Sequence, residues 1–391
     1  MKEKIKALAS EFLPDIIACR RQIHANPELS FNETNTSLFI QQKLTEFGIP
    51  FQSGLVKTGI VAEIKGKNPE KRTVALRADM DALPILEQNE VPYKSLNPGV
   101  MHACGHDAHT SSLLGCARIL HTLCNEWEGT VQLVFQPGEE VLPGGASLMI
   151  KEGLFKDKAP DRIWGQHVFP ELPAGKVGFK PGPYMASTDE IYAVVKGKGG
   201  HGAKPDRSVD PVLMAAHLVV ALQQVVSRWA NPAMPSVLSF GKVVANGATN
   251  IIPDEVRLEG TFRTFDETWR RDAHQRMTSL AKHLCEGMGG EVDFRIEVGY
   301  PVLVNDPELA HLAKQSAIEY LGAENVVDLD LRTTAEDFAY FTQLWKGCFY
   351  RLGTASPDGS KSFSVHNSRF DIDESSLETG MGLMAWLAIA E

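Results

Sequence analysis

Apolar residues recur near every third or fourth position at the start of the chain. Ile5, Leu8, Phe12, Ile16 and Ile23 fall on one face of a helix predicted over residues 3–24, and Asn26-Pro27 stops it. A second helix is expected over Thr36–Phe47. Gly59–Ile64, Thr73–Leu76, Thr130–Phe135 and Arg162–Val168 read as strands. Between them the spacing predicts a helix from Asp107 to Leu123, with Leu113, Leu114, Ala117, Ile119 and Leu120 inward, and a short apolar helix over Ala146–Ile150. Strands alternating with helices predict an α/β core with a mixed, largely parallel sheet flanked by helices.

The pattern changes after Pro181-Gly-Pro183. Strand Glu190–Lys196, helix Val209–Trp229, strands Val237–Val244 and Glu255–Phe265, helix Thr268–Met288 and strand Glu291–Glu297 follow one another. That β-α-β-β-α-β order is ferredoxin-like. The expected organisation is a main domain whose first part is residues 1–184, an inserted α+β domain over 185–298, and the rest of the main domain over 299–391.

Composition narrows the class. The 391 residues are 43% hydrophobic and 23% charged, ordinary values for a globular protein with a large core. A net charge of −10 argues against nucleic acid or an anionic membrane as partner. Six cysteines, at 19, 104, 116, 124, 285 and 348, are too sparse for a disulfide framework, so a cytoplasmic setting is expected. The first residues are charged and lack the apolar core of a secretory signal. No run of about 18 apolar residues stands out, and no membrane span is expected.

The densest chemistry lies in Met101–Thr110, where three histidines, a cysteine and an aspartate share ten positions. Gly105 permits a backbone path on which the Cys104 thiolate and the His106 imidazole converge. Asp79 and Asp81 follow a strand and, in extended chain, point to one face. A carboxylate there can fix the orientation of a ligating histidine. Glu139 and Glu140 follow another strand; as neighbours they project differently, so one can bind metal while the other moves a proton. His167 is placed at the end of a third strand, and His366 is the best late candidate. Strand ends are where open α/β sheets place their sites. Cys104, His106, Glu140, His167 and His366 mix S, N and O donors, which suits Zn, Mn, Co or Ni. Five donors exceed one tetrahedral ion, which points to two metals with Cys104 as a possible bridge. Gly197-Lys-Gly-Gly-His-Gly202 matches a dinucleotide fingerprint only in its glycines. No apolar helix opens directly after it, so the loop is read as a mount for His201.

Taken in order, Arg77-Ala-Asp-Met-Asp-Ala-Leu-Pro84, Met101-His-Ala-Cys-Gly-His-Asp107 and Phe135-Gln-Pro-Gly-Glu-Glu140 resemble the metal-dependent aminoacylase/carboxypeptidase amidohydrolase family. Gly199-Gly-His-Gly-Ala203, Asn250-Ile-Ile-Pro-Asp254 and Ala335-Glu-Asp-Phe-Ala339 extend the likeness over essentially the whole chain. It is nearest the branch of hippurate hydrolases, N-acyl-amino-acid amidohydrolases and plant auxin-conjugate hydrolases. The resemblance implies a zinc-peptidase-like catalytic domain with an inserted lid that often dimerises, and the same five residues as ligands of two divalent ions. It also implies Glu139 as general acid/base, Asp81 as its supporting carboxylate, His201 as an oxyanion-stabilising lid histidine, and Asn250 and Arg263 as holders of the substrate carboxylate. The family carries a histidine elsewhere at the position of Asp79, so Asp79 is not counted as a ligand. Val141-Leu-Pro143 and Pro205-Asp206 depart from the family pattern at the pocket rim. The implied activity is hydrolysis of N-acyl amino acids through a metal-bound water. A dipeptidase or aminopeptidase on the same site, and a non-catalytic metal- or ligand-binding protein, are the alternatives.

Overall fold

Helix α1 (Lys2–Ala25) forms because Ile5, Ala9, Phe12, Ile16, Cys19 and Ile23 give it one apolar face, and all six are buried. The same logic builds α2 (Thr34–Glu46) and α3 (His106–Thr122). The computed structural model describes residues 1–390, and the chain divides into two units. The first takes Met1–Gly182, Val304–Asp330 and the chain from Asp337 onward; the second takes Pro183–Leu303 and Leu331–Glu336.

The first unit is built on an eight-stranded sheet. Its early strands are β1 (Phe51–Leu55), β2 (Gly59–Lys65), β3 (Thr73–Asp79), β4 (Thr130–Gln136), β5 (Arg162–Pro173) and β6 (Val177–Phe179). The order is β1-β2-β4-β3-β5, then Gly347–Ala355, β6 and Val326–Asp328. The four central strands β4, β3, β5 and Gly347–Ala355 run parallel, with β1 and β2 antiparallel at one side. Every residue of β3 and β4 is buried, as parallel strands covered on both faces require. Helices α1, α3 and Ser376–Ile389 pack on one another and join the same hydrophobic core as the sheet. The short α4 (Gly145–Lys151) follows β4.

One expectation about the strands is corrected. His167 lies inside β5 rather than at its end, because β5 goes on pairing beyond it with Gly347–Ala355, with His167 opposite Arg351 and Val168 opposite Leu352.

In the second unit four antiparallel strands stand in the order Ser236–Val244, Glu255–Thr264, Asp189–Lys196, Glu291–Val298. Helices Pro211–Leu222 and Glu267–Gly287 are capped by Asp210 and Asp266, whose carboxylates each accept two backbone N–H groups. Ile191, Ala193 and Val195 of the sheet share a core with Met214, Leu218, Met277 and Ala281 of these helices. The helix expected over Val209–Trp229 starts at Pro211 and runs to Trp229, its α-helical part Pro211–Leu222 passing into a π-helical turn over Val225–Trp229. By length and composition alone Pro211–Trp229 is apolar enough to cross a membrane. Its Met214, Ala215, Leu218, Leu222 and Val225 are instead buried in the second unit's own core.

Candidate metal centre

Gly105 caps α3 at φ +84°, a left-handed conformation that glycine adopts freely. A side chain there would also meet Val168 Cγ2 at 2.5 Å. This turn sets Cys104 just before the helix and His106 as its first residue, both buried. The His366 N–H donates to Ala103 O at 2.7 Å, which ties residue 366 alongside the same turn. His366 itself sits at φ +65°, an unusual conformation for a non-glycine residue and one found at functional sites.

The first unit brings the expected donors together. Cys104, His106 and His167 offer ligand atoms within 4.8 Å of one another, and so do Cys104, Glu140 and His366. Cys104 belongs to both groups. A third cluster joins His106, Glu139 and Glu140. Cys104 Sγ lies 3.5 Å from His167 Nε2, and His366 Nε2 lies 3.2 Å from Glu140 Oε1. His106 Nε2 is 3.8 Å from Glu140 Oε1 and 3.9 Å from Glu139 Oε2.

Supporting groups fix how these side chains point. Asp81 Oδ1 lies 3.1 Å from His106 Nδ1, while Asp81 Oδ2 accepts from Glu140 N at 3.0 Å and from Ser30 Oγ at 2.6 Å. His167 Nδ1–H donates to Val168 O at 2.8 Å, so its Nε2 carries the free lone pair. Asp79 is engaged elsewhere: Oδ2 accepts from Arg77 Nη1 at 2.7 Å and Oδ1 pairs with His109 Nδ1 at 2.6 Å. His109 Nε2 in turn accepts the Val168 N–H at 2.8 Å.

The residues fit a cation. His106 Nε2 and Glu140 Oε1 are buried without a hydrogen-bond partner, although both face other donor atoms. Such orphaned polar atoms are costly unless something binds them. Burial disfavours the His106 imidazolium, yet Asp79 and Asp81 outweigh it and lift its pKa to about 10. Burial, reinforced by Glu140 and Glu139, pushes the Cys104 thiol well above its ordinary value. Burial keeps His167 neutral, helped by the Arg351 charge. A dication would relieve the carboxylate excess and favour the thiolate.

Several contacts at the site carry no sequence signal. Glu33 Oε1 accepts from Gly138 N at 2.9 Å, beside Glu139, and its Oε2 accepts from Thr58 Oγ1 at 2.9 Å. Its pKa is raised to about 7, chiefly by burial and then by Asp81. Arg77 Nη2 donates to Asp337 Oδ1 at 2.7 Å across 260 positions of sequence. Both lie in stretches that carry the family resemblance, but nothing local in either shows that they pair.

Of the residues expected on the inserted domain, the second unit brings His201 and Asn250 together. His201 pairs with Ile251 in a short ladder, and Gly202 N donates to Asn250 O at 2.9 Å. His201 is exposed, and its Nδ1 accepts the Ala203 N–H at 3.1 Å. A neutral ring so held carries its proton on Nε2. Arg263 is not beside them. It lies near the far end of strand Glu255–Thr264, opposite Val237, roughly 25 Å along the strand from Glu255.

The chain is similar to several known proteins. An N-acyl-L-amino acid amidohydrolase of Geobacillus stearothermophilus is 44% identical over 307 residues, 78% of this chain and 82% of its own length. An N-acetyl-L-cysteine deacetylase of Bacillus subtilis is 38% identical over 362 residues, 93% of this chain and 84% of its own. A solved Bacillus subtilis structure, described as a dinuclear metal binding peptidase of the M20 family, matches with a TM-score of 0.83 at 34% identity, covering 97% of this chain and 98% of that one. The profile of peptidase family M20/M25/M40 matches residues 75–390. The chain belongs to the peptidase family M20/M25/M40.

Proposed function

We propose that this protein is a metal-dependent amidohydrolase that cleaves the amide bond of N-acyl amino acids, giving a carboxylic acid and an amino acid. The observation that carries it is the pair of donor triads sharing Cys104, with Glu139 clustered beside His106 and Glu140. The names of the similar amidohydrolase and deacetylase support the substrate class.

Cys104, His106, Glu140, His167 and His366 are the proposed ligands of two divalent ions, with Zn, Mn, Co or Ni suited to the donor mix. When bound, such ions polarise a carbonyl and bring the pKa of a water towards about 7. Glu139 takes the proton of the attacking water and returns it to the leaving amine. Asp81 holds His106 and the Glu140 backbone in register. His201 donates its Nε2–H to the developing oxyanion. Asn250 binds the substrate's carboxylate; Arg263 is given the same role by resemblance alone, since within one chain it stands away from Asn250. Residues 185–298 serve as a lid through which a homodimer forms, in the cytoplasm, with small-molecule substrates and neither nucleic acid nor membrane as partner.

The test is release of free amino acid from a panel of N-acetyl, N-benzoyl and N-indolylacetyl amino acids. It uses metal-stripped protein with and without added Mn, Zn, Co or Ni. Hydrolysis restored by metal is expected. Silence across the panel from folded, metal-loaded protein would overturn the reading, and cleavage of unblocked dipeptides alone would replace it with a peptidase.

A further inference from the structure

The segment that carries Glu139 and Glu140 leaves β4 at Gln136 and enters α4 at Gly145. It contains Gly138 at φ +61° and Gly144 at φ +84°, residues that hold no conformation by themselves. Both ends of this segment meet one carboxylate. Asp337 accepts from Gln136 Nε2 at 2.9 Å through Oδ1 and 2.8 Å through Oδ2, and its Oδ2 accepts the Ala146 N–H at 2.9 Å. Arg77 completes the knot. Its Nη2 donates to Asp337 Oδ1 at 2.7 Å and its Nε to Gln136 Oε1 at 2.9 Å. The side chains of Arg77, Gln136 and Asp337 are fully buried. The Asp337 N–H lies 3.4 Å from Glu139 Oε1.

A buried ion pair is costly to desolvate and is weak evidence for stability by itself. Here the Asp337 carboxylate accepts from a guanidinium, a side-chain amide and a backbone N–H, so its charge is well satisfied. Those donors come from β3, from the last residue of β4 before the loop, and from the helix after the loop. The carboxylate therefore pins the two ends of one loop to each other and to β3.

We propose that Asp337 is a positioning residue: it clamps the ends of the Glu139–Glu140 loop so that the general base stays aimed at the reacting water. This rests on the amidohydrolase reading given above. Asp337 touches neither substrate nor metal in this role and acts through Glu139.

The experiment compares wild type, Asp337→Asn and Gln136→Met in the metal-reconstituted hydrolysis assay, with metal content and folding measured on each sample. Asp337→Asn keeps the shape but loses an acceptor and the charge facing Arg77. Its kcat per metal-loaded site should fall about 10- to 100-fold with KM within about threefold, because small misplacements of a catalytic group cost rate rather than binding. Gln136→Met leaves the Arg77–Asp337 pair in place, removes one tie, and should lose roughly 3- to 10-fold in kcat. A near-normal kcat in folded Asp337→Asn would overturn the proposal, as would a loss that follows metal content or KM alone. Should Asp337→Asn fail to fold, Gln136→Met decides: an unchanged kcat overturns the clamp. Inactive wild type would overturn the amidohydrolase reading and the clamp with it; active wild type beside normal variants would overturn the clamp alone.

Discussion

Asp81 Oδ1 stands 3.1 Å from His106 Nδ1, and both groups are buried. The contact settles which ring nitrogen faces the donor cluster. With Nδ1–H held by the carboxylate, Nε2 faces Glu140 and Glu139, so a cation that displaces its proton would meet the lone pair there. Asp81→Asn offers the same shape with weaker polarisation of the ring. It should weaken metal affinity by about 10- to 100-fold, as loss of a supporting carboxylate does elsewhere. Metal titration of the stripped variant checks this, and wild-type affinity would remove Asp81 from the centre.

Glu139 is the group assigned to proton transfer, whereas Glu140 is shared with His366 and Cys104. Glu139→Gln should therefore keep both fold and metal while losing about 10²- to 10⁴-fold in turnover. Glu140→Gln should lose metal first. If the two variants behave in the opposite sense, the roles of the neighbouring glutamates are exchanged.

The donor stretches were legible in the sequence because Cys-Gly-His and Glu-Glu concentrate their donors within a few residues, whereas the separate roles of Asp81, Glu139 and Glu140 came only from the family resemblance. The α/β alternation was legible for the same local reason, since β3 and β4 are compact, largely apolar runs. The edge strand Phe51–Leu55 gave no signal: its central residues are exposed and show no alternation. Glu33 and Ser30 were invisible, and so was the role of Asp337 within Ala335-Glu-Asp-Phe-Ala339, because each acts on a partner far away in the chain. The left-handed turn at His366 was hidden too, since nothing in Phe363-Ser-Val-His-Asn367 requires it.

Gly105 is a position where one methyl group should matter. Its φ of +84° and the 2.5 Å approach to Val168 both penalise a β-carbon. Gly105→Ala should cost more than about 1 kcal/mol of stability and displace Cys104 from His106. Denaturation of the metal-free variant measures the first effect and metal affinity the second. A variant with normal stability and affinity would show that the turn relaxes without consequence.

His201 offers a test that separates its chemistry from substrate binding. Its ring is exposed, and the Ala203 N–H holds Nδ1 as acceptor. His201→Ala should lower kcat by about 10²- to 10³-fold, the range for an oxyanion donor, with metal content unchanged. A change confined to KM would instead make His201 a substrate-binding residue.

Glu33 links the Glu139–Glu140 loop to pH. Burial, then the nearby Asp81 charge, raises its pKa to about 7, while an exposed glutamate titrates at 4.5. The folded protein thus favours the protonated form. The stability this contributes is fully present below the unfolded value and is lost as pH rises through about 7. The amide in Glu33→Gln does not titrate, and its oxygen can still accept from Gly138 N and Phe31 N, which share Oε1 in the native protein. Between pH 5 and pH 8 the stability of Glu33→Gln relative to wild type should therefore rise by about 2–3 kcal/mol. The comparison uses metal-free protein, so that no bound cation shifts the carboxylate. Urea midpoints across this window give the answer directly. Parallel pH curves for the two proteins would mean that Glu33 is ionised throughout, held by its three donors despite its burial.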